Sequence, residues 1–201
     1  IYRFANVEEG SWLFMCNQQS YRLGPLTLQL ITADQIQQAQ VAAAWQHLFR
    51  IAPGAAPAAP AALRIHLVAT PLPAAAAPPL TPAVQGPIAV WPVAGGLTCR
   101  CGATVFQIDT VQPHAVGHVA ADFWDFPLIV QRTFWQTLFF LLVRRTGCAF
   151  LHANALYPAD LGPEAGVLLV GDCGSGKTTL TLSLLSAGWR YVTDDTVLLQ
   201  L

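Results

Sequence analysis

Gly171-Asp172-Cys173-Gly174-Ser175-Gly176-Lys177-Thr178 holds the only lysine of this 201-residue chain, whose other basic side chains are all arginine. The stretch follows the pattern G-x-x-x-x-G-K-[ST], a phosphate-binding loop. Its glycines let consecutive backbone N–H groups turn inward into an anion nest. A helix leaving such a loop adds the positive end of its dipole. Lys177 is then placed to reach the outer phosphates of a nucleotide, and the Thr178 hydroxyl to ligate Mg²⁺. The predicted phosphate site runs from Gly171 to Thr179 and takes in Asp172, Cys173 and Ser175.

The flanks fit this reading. Val167-Leu168-Leu169-Val170 is a short apolar run that predicts a buried strand. Thr179 to Ala187 predicts a helix, with Leu180 and Leu184 four apart and Gly188 as its stop. Strand, glycine loop, helix is the order a P-loop requires, whereas a glycine-rich turn that binds nothing needs no such order. Further on, Trp189 to Thr193 predicts a strand that runs into Asp194-Asp195, ahead of apolar Val197-Leu198-Leu199. Beside a P-loop helix, one carboxylate can hold the metal while the other takes the proton of an attacking hydroxyl. The competing reading is a β-hairpin turn, where Asp-Asp-Thr is ordinary turn chemistry.

His152-Ala153-Asn154-Ala155-Leu156, the segment Gly166 to Thr178, and Ala187 to Asp195 together resemble the catalytic domain of HPr kinase/phosphorylase and its relatives. Members of that family are bacterial protein-serine kinases with a phosphoenolpyruvate carboxykinase-like fold. The family's marks are a histidine on the strand before the P-loop, the P-loop itself, and an Asp-Asp pair after the next helix. The resemblance covers residues 148 to 201 and implies transfer of the γ-phosphoryl group of ATP, with Mg²⁺, to a serine or threonine hydroxyl of a protein or peptide. It implies that Gly171, Gly174, Gly176 and Lys177 hold the phosphates and that Thr178 and Asp195 hold the metal. Asp194 then resembles the general base, and His152 the family histidine near the transferred phosphate. Adjacent carboxylates share a titration, so the roles of Asp194 and Asp195 can exchange. His152 also has a structural reading, as a histidine hydrogen-bonded in the core. Thr178-Thr179 stands where Ser-Glu is common in the bifunctional enzymes, and Cys173 where Ser is usual. Many relatives are hexamers, which implies a homo-oligomer.

The chain ends in the apolar run Thr196 to Leu201 and opens on Ile1, which predicts a C-terminally truncated member of the family. Two alternatives therefore accompany the kinase reading. One is a nucleotide-binding switch or NTPase with no protein acceptor; the other is an inactive fragment.

Composition bounds the remaining classes. Only 10% of residues are charged, against roughly 25% in ordinary soluble domains. The formal net charge of −1 and the lack of a basic patch leave no electrostatic footprint for nucleic acid. The cysteines are Cys16, Cys99, Cys101, Cys148 and Cys173, an odd and scattered set unlike a disulfide framework. A P-loop enzyme with free thiols is expected in the reducing cytoplasm. Cys99-x-Cys101 with His114 and His118 invites a zinc reading, but one intervening residue is shorter than the usual C-x₂₋₄-C. Phe126 to Val143 is the most apolar stretch, yet Gln131, Arg132 and Gln136 interrupt it well short of the ~20 residues of a membrane span. It predicts a buried helix with Pro127 in its first turn and Gly147 after its end, and no membrane association.

Ahead of it, residues 1 to 31 alternate around turn signals at Glu9-Gly10 and Gly24-Pro25, which predicts short antiparallel strands. Thr32 to Arg50 predicts a helix, with Thr32 and Gln35 as a capping box. Pro53 to Pro60 and Pro71 to Pro82 are Ala/Pro-rich loops around a strand at Leu63 to Ala69, and Ile88 to Val93 and Ala103 to Ile108 continue the β pattern. The expected fold class is mixed α/β: a β-rich region over residues 1–125, then part of a P-loop kinase domain over 126–201.

Overall fold

Leu26, Leu28 and Leu30 alternate with half-buried residues and are themselves buried, the period-2 pattern of a strand with one face on a core. They belong to a computed structural model that describes residues 17–23, 26–49, 51, 53–54, 63–70, 72, 87–109, 111–193 and 196–200. The turn signals at Glu9-Gly10 and Gly24-Pro25 and most of both Ala/Pro-rich loops lie outside the described residues. The chain is mixed α/β and divides into two compact units, residues 1–146 and 147–201.

In the first unit β1 (Asn17–Leu23) and β2 (Leu26–Thr32) pair antiparallel. Helix α1 (Gln35–Phe49) then carries the chain to β3 (Leu63–Leu67), which lies parallel to β2. A meander follows through β4 (Ile88–Val93), β5 (Gly96–Cys101), β6 (Thr104–Asp109) and β7 (His114–His118). The meander returns β7 parallel to β3, and the seven-stranded order is β1-β2-β3-β7-β6-β5-β4. Helix α1 starts later than its capping-box signal predicts. Thr32 is the last residue of β2, and the cap is Asp34, whose Oδ1 accepts from Ile36 N (2.8 Å) and Gln37 N (3.1 Å). Thr32 Oγ1 is used one step earlier, accepting from Asp34 N.

Helix α2 (Leu128–Val143) begins beyond Pro127, as the missing proline N–H favours. Buried Gln131 ties it to the preceding turn, donating to Trp124 O and Phe126 O. Its Trp135 ring lies 5.5 Å from Trp45 of α1 and 5.7 Å from Phe106 of β6, so both helices cover one face of the sheet. Gly117 makes room for that packing, because a Cβ there would fall 2.3 Å from the Phe106 ring. Helix α2 thus belongs to the first unit. The boundary lies between Thr146 and Gly147, beyond the 125/126 division read from the sequence. That division followed the change in local pattern, while α2 buries its aromatic side chains against residues far upstream.

Cross-strand pairing also answers the zinc question. Cys99 pairs with Phe106 and Cys101 with Thr104, on the helix-covered face. His118 pairs with Val105, so His114 and His118 point to the other face. The two pairs stand on opposite sides of the sheet and cannot share one metal.

On that second face the His66 and His114 rings meet edge-to-face at 5.2 Å, and Arg64 is the direct cross-strand neighbour of His114. Burial, with His114 and Arg64 adding to it, lowers the His66 imidazole to about 4. Burial and Arg64 lower His114 as well, against an opposing pull from Asp109. The folded state therefore favours the neutral rings, while the unfolded chain takes up protons near the ordinary value of about 6.5. Stability is full above about pH 6.5 and falls as the pH drops from there towards about 4. With both rings partly exposed, the expected loss is on the order of 1–2 kcal/mol after solvent screening. Urea unfolding at pH 7 and pH 4.5 measures it, and His66→Gln/His114→Gln is expected to remove most of the difference.

The second unit holds β8 (Cys148–His152), β9 (Asn154–Pro158), β10 (Val167–Leu169), α3 (Lys177–Ser186), β11 (Trp189–Thr193) and β12 (Thr196–Gln200). Strand β9 is flanked by β10 and β11, both antiparallel to it, so β10 and β11 run the same way. Helix α3 makes the crossover between them. Strand β12 pairs with β8.

Candidate functional site

The chain leaves β10 at Leu169 and re-enters regular structure at Lys177, the first residue of α3. Between them the backbone turns through left-handed conformations at Gly174 (φ 79°) and Gly176 (φ 91°), where a Cβ would be strained. Ser175 N donates to Asp172 O at 3.1 Å, closing a turn inside the loop. At Gly171 a Cβ would come within 2.7 Å of Ser175 Oγ, so a side chain there would have to turn that hydroxyl aside. Two of the loop's glycines are thus called for by their left-handed backbone. Residues Gly171 to Gly176 are all exposed, as are Thr178 and Thr179.

Lys177 folds back over this loop. Its Nζ donates to Gly171 O (2.5 Å) and Asp172 O (2.8 Å), so the ammonium spans the opening. Those carbonyls are neutral, so a phosphate oxygen, which carries the opposite charge, is a stronger partner for the ammonium. The first-turn amides of α3 have no intrahelical acceptor and point out of its N-terminus. The loop therefore offers amide donors, a cation and the Thr178 hydroxyl on one exposed surface. These groups fit a nucleotide phosphate with its Mg²⁺: glycines clear the approach, and Thr178 supplies a neutral oxygen ligand. Cys173 is an exposed free thiol within the loop.

The apolar run is less buried than expected, with Val167 of β10 37% exposed and Val170, just past its end, 59%. The reason is its position: among the described residues β10 pairs on one side only, with β9. His152 is also exposed, which sets aside its reading as a core histidine. It lies on β8, two strands ahead of β10, the strand that enters the loop. Asp194 and Asp195 lie outside the described residues. Their neighbours are informative, because Thr193 pairs with Ala155 on β9 and Thr196 pairs with His152 on β8. Strands β11 and β12 thus join different sheets, while both readings of the Asp194-Asp195 pair fall outside the described residues.

One contact was not foreseen. Asn154 Nδ2 donates to Thr181 Oγ1 at 2.7 Å, with both residues buried. The available signals were a lone amide within the apolar run Ala153 to Leu156, and a threonine one helical turn after Lys177 on α3.

Compared with models of known protein families, with curated proteins and with solved structures, the chain finds no match in any of the three. No helix among the described residues is long and apolar enough to cross a membrane.

Proposed function

We propose that residues 147–201 carry the nucleotide site of an ATP-dependent serine/threonine kinase of the HPr kinase type, on a phosphoenolpyruvate carboxykinase-like P-loop fold. The observation that carries the reading is the glycine loop between β10 and α3, with Lys177 closed across it. The sequence resemblance extends that phosphate site to a kinase acting on a protein or peptide acceptor in the cytoplasm.

In this reading the ATP phosphates draw Lys177 away from the Gly171 and Asp172 carbonyls and take the amides of the loop and of α3. Thr178 and Asp195 would hold Mg²⁺, which would supply neutralisation of charge on the phosphate oxygens. Asp194 accepts the proton of the acceptor hydroxyl as its oxygen bonds to the γ-phosphorus. The bond from that phosphorus to the bridging oxygen breaks, and ADP leaves with the electron pair. His152, paired through its backbone with Thr196, stands at the start of this segment. Catalysis rests mainly on positioning and charge neutralisation.

The test is Asp194→Asn. It is expected to leave Mg·ATP affinity within about twofold of wild type and to lower phosphoryl transfer by roughly 10²–10⁴-fold, the range for a lost general base. Full transfer by this variant would remove Asp194 from the role. Release of inorganic phosphate by wild type, with no labelled acceptor, would instead favour a nucleotide-hydrolysing switch.

A further inference from the structure

We propose that Asn154 is a positioning residue for the phosphate loop, tying the strand that enters it to the helix that leaves it. This rests on the reading of residues 171–179 as a phosphate site. The backbone of Asn154 pairs with Leu169, the last residue of β10 and two positions before Gly171. Its side chain donates to Thr181, one helical turn beyond Lys177 on α3. A single residue therefore grips both ends of the loop, through its main chain on one side and its amide on the other.

The packing around α3 gives this contact its weight. Thr181 is the one buried residue of the helix, while Leu180 and Leu182 are 49% and 60% exposed. Apolar contacts resist separation of two elements but resist sliding and rotation poorly, because they are non-directional. A buried hydrogen bond of 2.7 Å is directional and fixes both. Thr181 and Lys177 share a helix face, so the bond sets where the Lys177 amide and ammonium stand relative to Gly171. A loop that binds phosphate through amides is sensitive to such placement, because hydrogen bonds weaken steeply as their distance and angle leave the favoured range. An apolar pair would fill this space without that constraint.

The test uses the full chain with Thr181→Val, which keeps shape and removes the acceptor, Thr181→Ser, which keeps the hydroxyl, and Asn154→Ala. Two readouts are taken: Mg·ATP affinity by calorimetry, and amide hydrogen exchange of residues 171–180 without nucleotide. Thr181→Val and Asn154→Ala are each expected to weaken affinity about tenfold and to speed exchange in the loop. The double variant is expected to be no worse than either single change, because both remove one bond. Thr181→Ser is expected to retain wild-type values. A lower melting temperature with unchanged affinity and unchanged loop exchange would overturn the proposal and leave a purely structural bond. If wild type bound no Mg·ATP, the phosphate-site reading would fail, and the exchange data would still decide whether Asn154 holds the loop.

Discussion

Replacing Lys177 with alanine is expected to weaken Mg·ATP binding by at least about 100-fold, which is about 2.7 kcal/mol. The estimate follows from losing charge-assisted bonds to phosphate, each worth about 1.5–3 kcal/mol. Among the described residues Lys177 bonds to two neutral carbonyls of its own loop, Gly171 O and Asp172 O. Those carbonyls are exposed enough to be hydrated when the ammonium is removed, so the variant is expected to fold with near wild-type stability. Arginine is not an adequate substitute, because its planar fork is wider than the compact ammonium that the loop encloses. Calorimetric titration of wild type and variant measures the effect directly. Lys177 is also the only lysine, so amine acylation offers a second reading: Mg·ATP is expected to protect that one side chain. Equal binding heats for the two proteins would remove the phosphate site from this loop.

Trp135→Ala is expected to destabilise the first unit by about 3–5 kcal/mol, the usual cost of truncating a large buried aromatic residue. Trp135 is fully buried and stands at the centre of the aromatic core. It meets Trp45 at 5.5 Å, Phe134 at 5.5 Å, Phe106 at 5.7 Å and Phe123 at 6.0 Å, all with edge contacts. Removing it opens a cavity between α1, α2 and the sheet at once, and a domain of this size is stable by only about 5–15 kcal/mol. Trp135→Phe is expected to cost far less. The indole Nε1 is buried with no hydrogen-bond acceptor among the described residues, so its loss sacrifices no bond and relieves a desolvated donor. Urea denaturation of both variants checks the contrast, and similar midpoints for the two would show that this core tolerates the cavity.

Much of the candidate site was legible because its determinants are local. A phosphate loop needs glycines at set positions, a lysine and a following helix, and all of these lie within a few residues of one another. The φ values at Gly174 and Gly176 and the start of α3 at Lys177 agree with that pattern. The Asp34 cap was missed because Thr32 and Asp34 both suit an N-terminus; the choice fell to β2, which claims Thr32 for its last ladder position. The depth of β10 was misjudged because an apolar run looks the same at the edge of a sheet as at its centre.

Residue pattern alone therefore anticipated the mixed α/β class, the strand–loop–helix around Gly171 to Thr178 and several of the strands, since each depends on side-chain period and backbone preference over short distances. The folded chain decided the rest. It placed α2 in the first unit through Trp45 and Phe106, set the cysteines and histidines on opposite faces of the sheet, and sent β11 and β12 to different partners. It also joined Asn154 to Thr181 across 27 residues. These are pairings between segments distant in sequence, chosen by which faces can be buried together, and no local pattern records that choice.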